Sequence, residues 1–293
     1  WSGLVKNLPA RWFWSRILRM SAGSGLRVHC LLHSLRVVRT LLFASGCVAG
    51  RSWAYISEML MCMCTTADSA EAVSLIVATH ARGGLLALNH PVPTHMRSVV
   101  RSCTFDGGIA ARGGCLFVEN GGTIMRDMTV ERCQARLLGG GVALQSTGYT
   151  DEDTWFYLQE MFDTRVTNCT SNQGAGIFSS ESTLVASNLH VEDCESHMGG
   201  GGMMLLQGAA GVLIDSTITR SKALVSSGGG AFIDGSTLST SNATISDCSS
   251  FVSGGGLYVG FRSVVHIDDT HIVGNHGGRR GGGVHVDRST ALI

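Results

Sequence analysis

The sequence predicts an all-β solenoid, a parallel β-helix of about seven coils, and three observations carry that prediction. Two short motifs recur in step, apolar residues alternate after each second motif, and the intervals leave no room for a crossover helix. The first motif is an aliphatic residue, two variable residues, then Cys, Asn or Ser. It appears as Val100 to Cys103, Val130 to Cys133, Val166 to Cys169, Val191 to Cys194, Ile218 to Ser221, Ile245 to Cys248 and Ile272 to Asn275. The second is a glycine run ending at Gly114, Gly141, Gly176, Gly202, Gly230, Gly256 and Gly283. Apart from the step between Gly141 and Gly176, these glycines lie 26 to 28 residues apart.

Each glycine run leads into period-two alternation, as in Val142-Ala143-Leu144, Ala231-Phe232-Ile233 and Leu257-Tyr258-Val259, which is the signature of a strand. A second strand follows, as in Val264-Val265-His266-Ile267, and a third carries Thr-x-Ile/Val into the first motif, as in Thr217-Ile218. Three short strands per turn, each stacking about 4.8 Å from its neighbour, make a coil about 34 Å long over seven turns. Of the 39 glycines, 32 lie after residue 100, where tight corners need φ > 0 and close backbone approach. A phosphate-cradling glycine loop occurs once and opens a helix; these runs occur seven times and open strands.

An aliphatic-x-x-Asn motif alternating with Gly-Gly-small-aliphatic resembles the polymorphic outer membrane protein repeat, over about residues 99–293. That resemblance implies a right-handed parallel β-helix of the pectin-lyase-like superfold, carried by a surface-exposed protein. The match departs in detail: Val or Ile stands where the family has Phe, Asn survives only at Asn275, and Cys holds that position in five units.

Ahead of the coils, residues 1–98 form a separate basic segment, partly helical or poorly ordered. Residues 1–57 carry eight basic residues and no acidic one, and Val28, Leu31, Leu35, Val38 and Leu42 share one helical face. A targeting leader fits this pattern, with a start at Met20 and an apolar stretch over Leu41–Ala49. No run of eighteen apolar residues is present, so no transmembrane helix is expected. Pro91 and Pro93 mark the boundary before the coil domain at 99–293, which stops part-way through a turn and so is expected to continue.

Charge divides along the same line. Residues 1–100 hold ten Lys/Arg against three Asp/Glu, and residues 101–293 hold twelve against nineteen. The acidic coil domain argues against nucleic acid as its partner. The cysteines at 103, 133, 169, 194 and 248 are expected to stack in one interior column as free thiols, because adjacent Cβ atoms about 4.8 Å apart are too far for a relaxed disulfide. Cys62-Met63-Cys64 and isolated Cys30, Cys47 and Cys115 show no CxxC pairing, so no metal and no cofactor are expected.

Two places are candidates for binding. The first is the column between the inward residues of the first strand, read as Leu116, Ala143, Phe178, Met204, Phe232, Tyr258 and His285. A solvated sheet face should show Thr, Lys or Glu there, so the apolar stripe is either covered by residues 1–98 or the insertion, or is a docking surface whose candidates are Phe178, Phe232, Tyr258 and His285. The second is an insertion over Ser146–Asp163 that places Asp151 and Asp153 beside Trp155 and Tyr157, a set suited to a sugar or cation.

For catalysis the nearest cluster is His266, Asp268, Asp269 and His271, whose alternation sends neighbours to opposite faces, and the Gly-His-Gly and Asn-x-Asp signatures of related hydrolases are absent. The expectation is therefore a non-catalytic structural or adhesive module, extracellular or at the cell surface, with a protein or carbohydrate ligand. A carbohydrate-active enzyme is the alternative. Asn168-Cys169-Thr170 and Asn242-Ala243-Thr244 are glycosylation sequons that matter only in a secreted protein.

Overall fold

The computed structural model describes residues 84–89, 98–146 and 158–293. All pairing among them is parallel, and successive rungs of one sheet come from successive turns of the chain, which is the topology of a parallel β-helix. The first face is an eight-stranded sheet that starts at Leu86–Asn89, upstream of Val99, continues through Leu116–Glu119 and Val142–Gln145, and ends at Val284–Val286. Alternation decides its inside: Leu116, Val118, Val142, Leu144, Ile177, Leu205, Ile233, Leu257 and Val259 are fully buried. Val284 and Val286, expected inside as well, are half-buried and exposed, because their strand pairs on one side only.

The second face differs from expectation in connectivity. The second and third strands read from the sequence belong to one twelve-stranded sheet, and in three coils they are a single strand: Thr123–Glu131, Leu158–Thr167 and Thr183–Glu192. A bend runs through them where Asp127, Asp163, Asn188, Asp215, Asn242 and Asp269 all take φ between 40° and 54°. Asp and Asn tolerate this left-handed conformation, so the corner needs no glycine. Neighbouring corners bond along the coil, Asn188 Nδ2 donating to Asp163 Oδ1 at 2.8 Å and Asn242 Nδ2 to Asp215 Oδ1 at 2.7 Å.

The third face was missed from the sequence. It is a seven-stranded sheet of two- to five-residue strands lying between the Cys/Asn position and the glycine run, such as Gln134–Leu138, Glu195–Gly199 and Ser249–Ser250. Its inward residues are small (Ala135, Ser196, Ala223, Ser250), so no apolar alternation announces it.

The first coil is also re-registered. Thr104–Asp106 pairs with Thr129–Glu131, so Phe105 aligns with Val130 and the Cys position of that coil is Gly108, while Cys103 aligns with Met128. The glycine run shifts likewise: Leu116 pairs with Val142, so Cys115, not Gly114, holds the position of Gly141. A disulfide joins Cys115 to Cys133 with a Cα–Cα distance of 5.5 Å, which overturns the free thiol expected at Cys133. Cys103 is not a free thiol either. The bond links two different columns, the last glycine of a run and the Cys position that follows it. A Cβ built on Gly141 or Gly230 would lie 3.2 Å from Sγ of Cys169 or Cys248, so the two columns face each other inside the coil.

Cys169, Cys194 and Cys248 are buried free thiols as expected. The neighbouring Cys194 thiol lowers the Cys169 pKa, whereas the Cys169 thiol and burial raise that of Cys194, and burial pushes Cys248 up to about 12. At Asn275 the amide replaces the thiol, accepting from Cys248 N at 2.9 Å and donating to Ile245 O at 2.8 Å.

Candidate functional site

The outward column of the first face is Ala87, Phe117, Ala143, Phe178, Met204, Phe232, Tyr258 and His285 by register, so Phe117 stands where Leu116 was expected. Its two halves differ. Ala87, Phe117, Ala143, Phe178 and Met204 are 1–4% exposed and form an apolar cluster with Leu138, Leu206 and Phe232 packed against it. Phe178 therefore offers no open surface. Phe232, Tyr258 and His285 are half-buried and form the accessible part of the stripe. Of the segments expected to cover the column, residues 1–98 and 146–163, the parts 1–83, 90–97 and 147–157 lie outside the described residues, as do Asp151, Asp153, Trp155 and Tyr157, and 158–163 belong to the strand Leu158–Thr167 of the second face.

Stacking along the coil sets how these rings meet a ligand. Phe232 and Tyr258 lie 4.8 Å apart at 16°, and Tyr258 and His285 lie 5.7 Å apart at 24°. Rings stacked on successive rungs spend their faces on one another and turn their edges outward, and a ring edge carries the positive end of the quadrupole. A sugar that stacks on a ring face has little to bind here, whereas backbone carbonyls and apolar side chains fit. Gly260 packs closely beside the rings: a Cβ there would fall 2.7 Å from Asp234 Oδ1 and 2.9 Å from Tyr258 Cε1, so the position has no space for a side chain. Burial raises the Asp234 carboxyl, and burial together with Asp287 and Asp234 raises the Tyr258 hydroxyl. Leu206 and Asp234 border the rings on the next outward column, which also carries Asp287.

Charged groups elsewhere pair across rungs of the second face. Arg132 binds Asp106 with Nε to Oδ1 at 2.7 Å, holding that carboxyl below its usual range, and Glu192 takes both Arg165 and Arg220, the latter also reaching Asp193 Oδ1 at 2.9 Å. A shallow depression at this corner is lined by Asp193, Cys194, Glu195, Arg220, Lys222 and Asp247. The cluster read for catalysis is dispersed: His266 and Asp268 are exposed on one strand beside Ser239 and Ser241, Asp269 sits at the bend, and His271 starts the next strand beside Thr244. Among the described residues no three His, Cys, Asp or Glu side chains lie close enough to share a metal ion, and no helix is long and apolar enough to cross a membrane. Both sequon asparagines, Asn168 and Asn242, are exposed at bends.

No curated protein and no solved structure matches the chain. Residues 159–292, the coils that carry the accessible rings, match the family described as a right-handed β-helix region, which gives the solenoid its hand.

Proposed function

We propose that this chain is a non-catalytic binding module of a secreted or cell-surface protein, and that it holds a protein ligand against Phe232, Tyr258 and His285. The supporting observation is the half-open aromatic column itself. On a sheet face that would otherwise be solvated, rings with edges outward and Asp234 alongside favour peptide over sugar. The resemblance to surface-displayed β-helices points to the same setting. The alternative, a carbohydrate-active enzyme of the pectin-lyase-like type, would use acidic and basic side chains converging in a groove, whereas His266 and Asp268 share one strand, Asp269 sits at the bend and His271 starts the next strand.

The test combines two assays on the full chain. Fluorescently labelled protein should bind intact cells, and Tyr258→Ser with His285→Ser, at the half-buried end of the column, should abolish binding while the protein still melts cooperatively. Release of reducing or unsaturated sugars from polygalacturonate would overturn the proposal in favour of the enzyme.

A further inference from the structure

The third face carries a different kind of surface. Met198, Leu224, Val225 and Phe251 are 41%, 44%, 43% and 58% exposed, and Leu137 is 48% exposed two coils earlier. Register pairs Ser196 with Ala223 and Ala223 with Ser250, all three buried, so the next residues His197, Leu224 and Phe251 point outward on three successive rungs about 4.8 Å apart. Charge on this face is segregated. Between the Cys/Asn position and the glycine run, the coils contribute Arg112, Arg136, Lys222, Arg279 and Arg280 against one carboxylate, Glu195, a balance of +4 (five minus one) in a domain that is otherwise acidic. Arg136, Lys222, Arg279 and Arg280 are exposed, and none makes an ion pair among the described residues. Arg112 is held by Gln145 at 3.0 Å.

Protruding Leu, Phe and Met side chains within a basic rim are the composition of an interfacial surface, in which apolar groups enter the headgroup region and cations meet anionic lipids. Leu224, Val225 and Phe251 lie in bends that directly follow short, stacked strands of one sheet, which suits an extended planar target more than a single inserted helix. From this juxtaposition of Leu224 and Phe251 with Arg279 and Arg280 we infer that the third face docks on an anionic lipid surface. It lies on a different sheet from the aromatic column, so both faces can be occupied at once.

The experiment is co-sedimentation of the full chain with phosphatidylcholine vesicles, with and without phosphatidylserine. Binding is expected only with phosphatidylserine and should weaken with salt. Because residues 1–57 are also basic, variants assign the binding to this face. Arg279→Gln with Arg280→Gln should weaken it about fivefold per charge, and Leu224→Gln with Phe251→Gln should abolish it, with thermal midpoints unchanged because all four residues are exposed. Equal binding by wild type and both variants, binding to neutral vesicles, or no vesicle binding would each overturn the inference. So would capture of an acidic polypeptide with the same variant sensitivity in place of vesicles.

Discussion

Replacing Gly141 by Cys should build a second disulfide, to Cys169, by repeating one coil later the relation that joins Cys115 to Cys133. Gly141 aligns with Cys115, and its Cβ would stand 3.2 Å from the Cys169 sulfur. The same Cβ would also lie 2.8 Å from Gly176 O and 2.8 Å from Val166 Cγ1, so neighbours must move by a few tenths of an ångström. Closing a loop of about 29 residues removes about 3.6 kcal/mol of unfolded-state entropy in the loop-closure picture. Overpacking of a tight site costs about 1–2 kcal/mol. Oxidised Gly141→Cys should then be more stable than the parent by about 2 kcal/mol, and the reduced variant less stable by about 1–2 kcal/mol. For a domain of this size the two forms should differ in thermal midpoint by roughly 10 °C. Melts with and without a phosphine reductant, followed by alkylation and peptide mapping, measure both. Recovery of Cys169 as a free thiol from the oxidised variant would refute the facing-column geometry.

Three more outcomes follow from the interior. Val259→Asp places an unpaired carboxylate at a fully buried position and should destabilise by about 3–5 kcal/mol, read as a lowered urea midpoint. Asn275→Ala leaves Cys248 N and Ile245 O without their partner and should cost about 1–3 kcal/mol by the same assay. The Cys248 thiol, held protonated to about pH 12, should resist iodoacetamide at pH 9 in the native state and react on unfolding. Because its folded pKa is raised, its contribution to stability is complete below about pH 9, the ordinary thiol value, and is lost as pH rises toward 12; native labelling at pH 9 would contradict this.

The repeat length, the parallel stacking and the inward residues of the first face were legible in the sequence, because they depend on local alternation repeated at a fixed interval. Val142, Leu144, Ile233 and Val259 could be placed inside from their own neighbours alone. The third face was not legible, since its inward positions are Ala and Ser and its strands are as short as two residues. In the first coil, Val100-x-x-Cys103 imitates the motif that Phe105-x-x-Gly108 occupies, and only pairing with Thr129–Glu131 separates them. The disulfide was hidden for a related reason: periodicity compares residues within a column, whereas Cys115 and Cys133 meet across two columns that converge inside the coil. The site divided in the same way. Alternation put Phe178, Phe232, Tyr258 and His285 on one outward line, but tertiary packing buried Phe178 and left the other three half-open, and the stacking distance between rungs turned the rings edge-on. Period and burial pattern are properties of the chain, whereas cover, ring orientation and contact between columns arise only when the turns close on one another.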